Sequence, residues 1–247
     1  MLKNIDFADM HIHSDESDGA RSAEEIIRIA QKIKNLKAIS VTDHDTAEGS
    51  RKALRYSQNS IEIIPGIEFS CERNGEEVHI LGYFIDIGND ILIQAEKSLL
   101  DIRVRRAEKF IEKLNDHNIL ISSEDVYKYS TGRAVGRPHI ANAIFHKGYT
   151  RSFEEAYSNY LSAGAKTYVP REKMEVEEAM RIIRVSGGAS VIAHPSSIKN
   201  QNTLNEIIGI GIMGIEVYHP MNSAEDSAEY LKIAAEKNLF VTGGSDF

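Results

Sequence analysis

The sequence predicts an α/β protein built on a distorted seven-stranded β/α barrel, similar to a TIM barrel, with a small all-helical insertion. Across most of the 247 residues, strand-like apolar runs alternate with helix-like segments, which is typical of a mostly parallel sheet covered by helices. Seven strand candidates in a chain of this length fit a closed or nearly closed barrel. One stretch near the middle of the chain lacks strand patterns, and a doubly wound open sheet is the alternative fold.

Apolar runs and helix caps define the individual elements outside that stretch. Ser22 and Glu25 form a capping box, which predicts a helix ending at about Lys34. A second helix covers residues 175–185 and is stopped by Gly187 and Gly188, and a third covers residues 224–237. The strand candidates are residues 7–13, 36–41, 61–64, 78–85, 189–193, 213–218 and 239–241.

Residues 99–167 interrupt the alternation with three helices and no convincing strand. Apolar residues recur at helical spacing in the first helix, Pro138 opens the second before Gly148 closes it, and Ser152 caps the third, which Gly164 ends. We therefore predict that residues 1–98 and 168–247 form the barrel and that residues 99–167 form a lid or substrate wall on its C-terminal face. The apolar residues of the first helix are Leu100, Val104, Ala107, Ile111 and Leu114.

Composition and charge exclude several classes of protein. The chain has 42% apolar and 27% charged residues, which is ordinary for a globular protein and argues against disorder. With 29 basic and 37 acidic residues, the net charge is −8. The chain therefore lacks the overall positive field on which non-specific nucleic-acid binding relies, and we expect no stable nucleic-acid partner. A local basic cleft stays possible.

Cysteine content and the length of the apolar runs indicate the compartment. The single cysteine, Cys71, can form neither an internal disulfide nor a cysteine-rich zinc site. The first residues contain no apolar core of the signal-peptide kind, and the apolar runs are too short to span a bilayer. We therefore expect a cytoplasmic protein without a membrane partner, whose oligomeric state the sequence does not indicate.

Each strand candidate carries, or runs into, a side chain that can bind a metal ion. Six of the nine histidines lie on or just after these strands. Residues two apart on a strand point to the same side, so His11 and His13 can aim two imidazoles into one space. Imidazole and carboxylate together suit zinc, manganese or iron. In chain order the groups are His11, His13, Thr42-Asp43-His44-Asp45, Glu68, His79, His194, His219 and Asp246, with Asp18 in the loop after the first strand.

Each of these residues also has an ordinary structural explanation. Asp43 and Asp45 can cap the next helix, although one of them, with Asp43 as our candidate, can instead hold the ring of His44 through a hydrogen bond. Glu68 can be a salt-bridge partner, and His79 can be a core histidine. Separate explanations do not account for a shared position at the C-terminal ends of strands, where the active sites of barrels lie. We therefore predict a multinuclear metal site.

The joint pattern resembles the polymerase and histidinol phosphatase (PHP) family over nearly the whole chain. The helical insertion is similar to that of the family's stand-alone phosphoesterases, which include nucleoside 3′,5′-bisphosphate phosphatases and 5′→3′ exonucleases acting on short RNA. The motifs that carry the resemblance are His11-x-His13, Asp18, Thr42-Asp43-His44-Asp45, Glu68, His79, Gly136-Arg137-Pro138-His139, His194-Pro195 and Ser245-Asp246.

The resemblance implies a distorted barrel of seven strands that holds two to three divalent ions of manganese, zinc or iron. Family members continue Ser-Asp-Phe-His, and the last histidine is a ligand of the second ion. This sequence stops at Phe247, from which we expect a truncated sequence rather than a lost ligand. By position, the first ion takes His11, His13, Glu68 and Asp246, the second takes Asp18 and His44, and the third takes Glu68, His79 and His194, with Glu68 bridging.

The implied reaction is hydrolysis by a hydroxide that bridges two of the metal ions and attacks phosphorus in line. Asp45 or His219 then passes a proton to the leaving group. In the insertion, Arg133, Arg137 and His139 are the candidates for binding a second phosphate, because arginine holds phosphate through two parallel hydrogen bonds. We expect a solvated helix face for the basic cluster of Arg103, Arg105, Arg106 and Lys109.

The expected function is metal-dependent hydrolysis of a phosphate ester in a small nucleotide, such as a nucleoside 3′,5′-bisphosphate, or at the 5′ end of a short RNA. A phosphatase for histidinol phosphate or another metabolite is the second enzyme hypothesis. An amidohydrolase shares the barrel and the His-x-His start, but such enzymes often bridge their metals with a carbamylated lysine, where this chain has Glu68. A non-catalytic metal-binding module is the remaining alternative.

Overall fold

The computed structural model describes residues 5–57, 61–130, 135–170, 172 and 174–247. These residues form an α/β fold with nine strands and nine α-helices. The strands are β1 (Phe7–Ile12), β2 (Leu36–Val41), β3 (Glu62–Ile63), β4 (Gly66–Arg73), β5 (Glu76–Tyr83), β6 (Met174–Glu175), β7 (Ala189–Ile192), β8 (Gly214–Tyr218) and β9 (Phe240–Gly243). The helices are α1 (Ala23–Ala30), α2 (Glu48–Tyr56), α3 (Asp90–Asp116), α4 (Ser123–Tyr127), α5 (Arg137–His146), α6 (Phe153–Ala156), α7 (Val176–Val185), α8 (Gln201–Gly209) and α9 (Ala224–Lys237).

The strands form two sheets, one parallel and one mixed, rather than the one mostly parallel sheet that the sequence predicts. One sheet is parallel and has the order β1-β2-β3. The other has the order β6-β4-β5-β7-β8-β9, and β5 runs antiparallel to both β4 and β7, while the remaining pairs are parallel. The reversal at β5 follows from the short turn after β4, because two strands joined by a tight turn must pair antiparallel.

The two sheets approach each other at two junctions, both of which lie beside predicted metal ligands. At the first, the backbone N–H of Asp45 donates to the carbonyl of Glu68 at 2.8 Å. At the second, the N–H of Asp246 donates to the carbonyl of His11 at 2.8 Å. The approach is close, since a Cβ atom on the neighbouring Gly244 would lie 2.2 Å from the Cβ of His11. The junctions therefore bring side chains from both sheets to one place.

Several elements have the bounds that the sequence predicts, and others differ for identifiable reasons. β2 and α9 coincide with the predicted ranges. The predicted capping box is present at α1, where Ser22 accepts from the N–H of Glu25 at 3.3 Å, but this helix ends at Ala30. The prediction of Lys34 as its end was wrong, because the chain turns before β2 and Asn35 takes a positive φ of 67°.

Strand β4 is the main element that the sequence prediction missed. The sequence places Glu68 after a strand over residues 61–64, but Pro65 separates the short β3 from a new eight-residue strand. Proline has no N–H to donate to a ladder, so pairing restarts at Gly66 in the other sheet. Glu68 is thus an interior residue of β4, and His79 is an interior residue of β5. These two groups do not lie at strand ends.

The helical insertion has its own apolar core, which is joined to the rest by α3. The first half of this 27-residue helix packs into the main core through Leu92 and Leu99, together with α7, α8 and α9. The second half contributes Phe110 and Leu114 to a separate core with α4, α5 and α6. The predicted boundary at residue 99 therefore falls within one continuous helix. In the described part of the chain, none of the helices is both long and apolar enough to cross a membrane.

We expect Leu114→Ala to lower the free energy of unfolding by about 2–5 kcal/mol, the usual cost of truncating an enclosed leucine. Leu114 has 0% of its surface exposed in the core of the insertion. The measurement is urea denaturation followed by circular dichroism. The control is Leu120→Ala, because Leu120 is 62% exposed and should change stability by less than about 0.5 kcal/mol. Equal losses in the two variants would contradict a packed core in this segment.

Candidate metal centre

The buried carboxylate of Glu68 lies at the centre of a group of five histidines. Glu68 has no exposed surface. Its Oε1 atom is the nearer one to three of the rings and its Oε2 atom to the other two. The distances from Oε1 are 3.1 Å to His79 Nδ1, 3.2 Å to His194 Nε2 and 3.5 Å to His11 Nε2, and those from Oε2 are 2.8 Å to His44 Nδ1 and 3.3 Å to His13 Nε2.

The end of β1 supplies two of these rings, and the segment after β9 brings a second carboxylate to them. The Nε2 atoms of His11 and His13 lie 3.1 Å apart, as expected for residues that share one side of a strand. Asp246 Oδ1 lies 3.1 Å from His13 Nε2 and 3.6 Å from His11 Nε2. The structure thus gathers the four predicted ligands of the first ion, including Glu68.

Asp18 and His44 meet on the other side of the His13 ring. Asp18 Oδ2 lies 3.6 Å from His44 Nε2, and Asp18 Oδ1 lies 3.6 Å from His13 Nδ1. The carboxylate of Asp18 is partly exposed, with a side-chain accessibility of 38%. The predicted ligands of the second ion therefore lie together at the solvent side of the group.

The donor set fits divalent cations. The described part of the chain contains three groups of residues whose ligand atoms lie within 4.8 Å of one another inside each group. These groups are His11 with His219 and Asp246, His11 with Glu68 and His194, and His13 with His44 and Glu68. Among the described residues, the buried Nδ1 of His44 and Oε2 of Glu68 lack a hydrogen-bond partner, although they are 2.8 Å apart. Although the two atoms are close, they do not satisfy each other as a hydrogen bond, and a cation could pair with both. Imidazole nitrogen and carboxylate oxygen without thiolate suit zinc, manganese or iron.

The charge states of Glu68 and His44 favour cation binding, whereas His79 must lose a proton before it can coordinate. Burial opposes the charged form of Glu68, but the nearby rings of His44, His79 and His11 hold its pKa well below its usual value. Burial lowers the pKa of His44, which keeps this ring neutral and able to coordinate. Burial also opposes the charged form of His79, but Glu68 raises the pKa of His79 to about 10. A cation bound at His79 would take the place of the extra proton that this ring carries.

Glu216 is a residue of the site that the sequence prediction missed. It lies on β8, has no exposed surface, and directs its carboxylate at two of the candidate ligands. Oε1 lies 3.0 Å from His11 Nδ1, and Oε2 accepts from the backbone N–H of His194 at 2.7 Å. The available signal was a single acidic residue within a strand whose other interior residues are apolar, since glutamate is rarely buried without a partner.

Asp43 contacts the loop after β1 instead of the ring of His44, for which we predicted a contact. It accepts from the backbone N–H of Ser14 at 2.7 Å, from Ser14 Oγ at 2.6 Å and from Ser17 Oγ at 2.5 Å. Ser17 Oγ in turn lies 3.4 Å from His13 Nδ1. The carboxylate of Asp43 therefore fixes the loop that carries Asp18 and supports the ring of His13.

Asp45 is engaged by an arginine of the insertion. Its Oδ2 accepts from Arg103 Nε at 2.8 Å and also from Arg103 Nη2, and its Oδ1 accepts from the backbone N–H of Ser70 at 2.9 Å. Arg103 was predicted to lie on a solvated helix face, which was wrong. In the run Arg103-Val104-Arg105-Arg106 the sequence does not indicate which charged residue faces inward, because the choice depends on how α3 packs.

His219, the other predicted proton donor, lies beside Asp246 and His11, and its ring is 5.3 Å from that of His194. The backbone N–H of Met221 donates to His219 Nδ1 at 3.1 Å, and His219 Nε2 lies 3.2 Å from Asp246 Oδ2. Because Nδ1 accepts, the neutral ring carries its proton on Nε2 and donates it to the carboxylate. In this form His219 orients Asp246.

A cleft of about 140 Å³ opens beside the group of histidines. Its lining includes Asp18, His44, His79, Arg103, Arg137 and Tyr157. The guanidinium of Arg137 lies over the Tyr157 ring, 5.3 Å from its centroid. The predicted substrate residue His139 caps α5, since its Nδ1 accepts from the N–H of Gly136 at 3.0 Å, and its ring also lies within electrostatic range of Asp18 and Arg103. Arg133 lies outside the described residues.

Comparison with known proteins agrees with this geometry. A family model described as the PHP domain matches residues 9–241. The 3′,5′-nucleoside bisphosphate phosphatase of Chromobacterium violaceum is 30% identical, over 97% of this chain and 86% of its own length. The 5′-3′ exoribonuclease Rnm of Escherichia coli is 28% identical, over 97% of this chain and 84% of its own length.

Two solved structures share the whole fold. One, described as a metal-dependent phosphoesterase from Bifidobacterium adolescentis, is 29% identical with a TM-score of 0.87 and covers 99% of this chain and 88% of that one. The other, described as an amidohydrolase from Chromobacterium violaceum with bound sulfate and no metal, is 27% identical with a TM-score of 0.87 and covers 97% of this chain and 87% of that one.

The fold, the donor set and these relatives define a metal-dependent phosphoesterase. The chain belongs to the PHP domain family, which confirms the resemblance that its motifs predicted.

We expect the purified protein to bind manganese, zinc or iron, and Glu68→Gln to lower metal content and activity more than His79→Ala does. Glu68 contacts five rings, whereas His79 is one ligand among several. The measurements are elemental analysis after metal reloading and phosphate release. Glu206→Gln serves as the control, because Glu206 lies at the surface and pairs with Arg73. Absence of metal after reloading, or equal and mild effects of both substitutions, would contradict a shared carboxylate.

Proposed function

We propose that the protein hydrolyses a phosphate ester of a small nucleotide, such as a nucleoside 3′,5′-bisphosphate, or of the 5′ end of a short RNA. The observation that carries this proposal is the combination, in one cleft, of Asp18, His44 and His79, from the edge of the group around Glu68, with Arg103 and Arg137. Arginine recognises phosphate through paired hydrogen bonds, and the two relatives named above are called a nucleoside bisphosphate phosphatase and an exoribonuclease.

The metal ligands would be divided as the family resemblance implies, with two to three ions of manganese, zinc or iron. Divalent ions supply charge neutralisation at phosphorus and a water that ionises near neutral pH. Glu68 would be shared between ions because its two oxygens face different rings. The ligand sets would be His11, His13, Glu68 and Asp246 for one ion, Asp18 and His44 for the second, and Glu68, His79 and His194 for the third.

The cationic residues of the cleft would bind and orient the substrate. Arg137 lines the cleft from the start of α5, an element of the insertion that carries none of the candidate ligands, so we assign it to a phosphate remote from the reacting one. Arg133, in the same segment, stays a candidate for this role. The guanidinium of Arg103 pairs with Asp45, so Asp45 would be a proton donor only when substrate replaces this ion pair. His219 would act through Asp246, with which it shares a hydrogen bond.

The arrangement of the chain around this centre supports a barrel with a lid. The backbone hydrogen bonds from Asp45 to Glu68 and from Asp246 to His11 support closure of the two sheets into a distorted β/α barrel. Residues 1–98 and 168–247 would form this barrel, and residues 99–167 would form the lid, whose Arg103 reaches into the cleft. Nucleotide substrates of the kind named for the relatives support action in the cytoplasm.

An amidohydrolase reaction is less well supported. One relative of known structure carries that description, and such enzymes often bridge their metals with a carbamylated lysine. The shared position here is occupied by Glu68, and none of the described residues that line the cleft is a lysine. The donor set therefore favours phosphate ester hydrolysis.

The test of the proposed function is a phosphate-release screen of the manganese-loaded protein. The panel contains nucleoside 3′,5′-bisphosphates, 5′-phosphorylated oligoribonucleotides, sugar phosphates and histidinol phosphate, and amide hydrolysis is followed in parallel. We expect the highest kcat/KM for a nucleotide or oligoribonucleotide. A clear preference for histidinol phosphate or another metabolite would overturn the nucleotide assignment, and loss of all turnover with metal bound would support a non-catalytic module.

We expect Arg137→Ala to lower kcat/KM for a nucleoside 3′,5′-bisphosphate much more than for a simple aryl phosphate. Losing a charge-assisted contact to the remote phosphate costs about 1.5–3 kcal/mol, which is roughly one to two orders of magnitude. An aryl phosphate lacks that second group. Arg151→Ala is the control, because Arg151 is an exposed arginine of the same insertion. Equal losses on both substrates would mean that Arg137 holds the reacting phosphate or the lid.

We expect Arg103→Gln to lower kcat/KM for both substrates, by roughly one to two orders of magnitude. The reason is its position, because its ion pair with Asp45 lies beside a metal ligand and not at the far end of the cleft. The matched control is Arg105→Gln on the same helix, since the Arg105 side chain is 55% exposed. A loss confined to the bisphosphate would place Arg103 on the remote phosphate instead.

A further inference from the structure

We infer that Glu216 is a positioning residue of the metal centre, which fixes the orientation of two ligands, His11 and His194, from two different strands. The inference concerns how the centre is assembled and holds for whichever phosphate ester is cleaved. It predicts that Glu216 governs metal affinity without contacting metal or substrate.

Glu216 lies among buried apolar residues, where a carboxylate is not expected unless it has polar partners. Glu216 lies between the fully buried Ile215 and Val217 on β8, with β7 and β9 on either side. A buried carboxylate is strongly destabilising unless its oxygens are paired. Both oxygens of Glu216 are used, by His11 Nδ1 at 3.0 and 3.2 Å and by the N–H of His194 at 2.7 Å.

The contact with His11 selects which ring nitrogen can bind a cation. An ionised carboxylate only accepts hydrogen bonds, so Nδ1 of His11 must carry the proton. In the neutral ring the Nε2 atom then has the lone pair, and it is Nε2 that lies 3.1 Å from His13 Nε2 and 3.5 Å from Glu68 Oε1. Glu216 therefore selects the tautomer in which His11 can act as a ligand through Nε2. A carboxylate hydrogen-bonded to the other nitrogen of a metal-binding histidine usually has this role.

The contact with His194 holds an unusual backbone conformation. His194 has φ 24° and ψ 64°, a region that residues other than glycine rarely occupy, and Pro195 follows it. Such a conformation persists only where the surroundings impose it. The hydrogen bond from the His194 N–H to Glu216 is one restraint, and the 3.1 Å contact between His194 Nδ1 and Ser197 Oγ is another. Together they leave His194 Nε2 directed at Glu68, 3.2 Å away.

One carboxylate thus links ligands that belong to different sheets. His11 comes at the end of β1, in the three-stranded sheet, whereas His194 follows β7 and Glu216 lies on β8, in the six-stranded sheet. Because both contacts use the same side chain, a displacement of β8 relative to β1 changes two ligands at once. Glu216 therefore connects the ligand from the three-stranded sheet, His11, with the ligand from the six-stranded sheet, His194.

The test is Glu216→Gln, which keeps the shape of the side chain and replaces one oxygen with an NH₂ donor. With the NH₂ at the Oε2 position the N–H of His194 loses its acceptor, and with the NH₂ at the Oε1 position a donor replaces the nearer acceptor of His11 Nδ1, which leaves only the 3.2 Å contact with Oε2. We expect the affinity of the metal-stripped protein for Mn²⁺, measured by isothermal titration calorimetry, to fall about 10–100-fold. Glu206→Gln, at the surface, should leave the affinity unchanged. An unchanged affinity in Glu216→Gln would overturn the inference.

A stability measurement distinguishes positioning from a purely structural role. The Tm of wild type and Glu216→Gln is determined without metal and with saturating Mn²⁺. If Glu216 positions ligands, the Mn²⁺-induced rise in Tm becomes smaller in the variant. If Glu216 only stabilises the fold, the metal-free Tm falls while the Mn²⁺-induced rise stays the same, and the inference is overturned.

The unsubstituted protein provides a readout that does not depend on a variant that folds. In zinc-loaded, ¹⁵N-labelled protein, the imidazole ¹⁵N signals of His11 should show a protonated Nδ1, with assignment by loss of these signals in His11→Asn. A proton on Nε2 of His11 would contradict selection of the His11 tautomer by Glu216, whatever the behaviour of the substituted proteins.

Discussion

The structure of the site depends on one electrostatic constraint, the burial of the Glu68 carboxylate in the interior of β4. A charge in that position needs compensation, and five imidazoles from several strands and loops supply it. The imidazoles that stabilise the buried carboxylate also place several potential metal-ligand nitrogens close to one another. The same contacts therefore contribute both to the stability of the metal-free chain and to its affinity for cations.

The sequence allowed much of this site to be predicted, because strand periodicity places His11 and His13 on one side and because the family motifs occur in a fixed order. It did not indicate Glu216, whose partner His11 lies 205 residues away in the chain. Nor did it indicate Arg103, whose direction depends on the rotation of a helix that is charged on more than one face. Pairings across strands and helix rotation are tertiary properties, and local patterns carry little information about them.

The fold was predicted in outline for the same reason. Apolar runs and caps located β2 and α9 with the correct bounds, since those signals are local. The antiparallel direction of β5 and the restart of pairing at Gly66 depend on Pro65 and on the turn after β4, whose effect appears only when the strands are assembled. The functional residues nevertheless came together, because their approach depends on the junctions between the sheets and not on the direction of each strand.

The continuity of α3 has a consequence for how substrates are selected. At 27 residues the helix is about 40 Å long, and its first half is anchored in the main core, where Arg51 Nη2 also donates to Glu96 Oε2 at 2.6 Å. Because α3 is continuous and its first half is packed in the main core, its second half has no hinge about which the insertion could swing. The packing of α3 against the main core therefore determines where the insertion, with Arg103 and Arg137, lies relative to the histidine group, and so the width of the cleft between them.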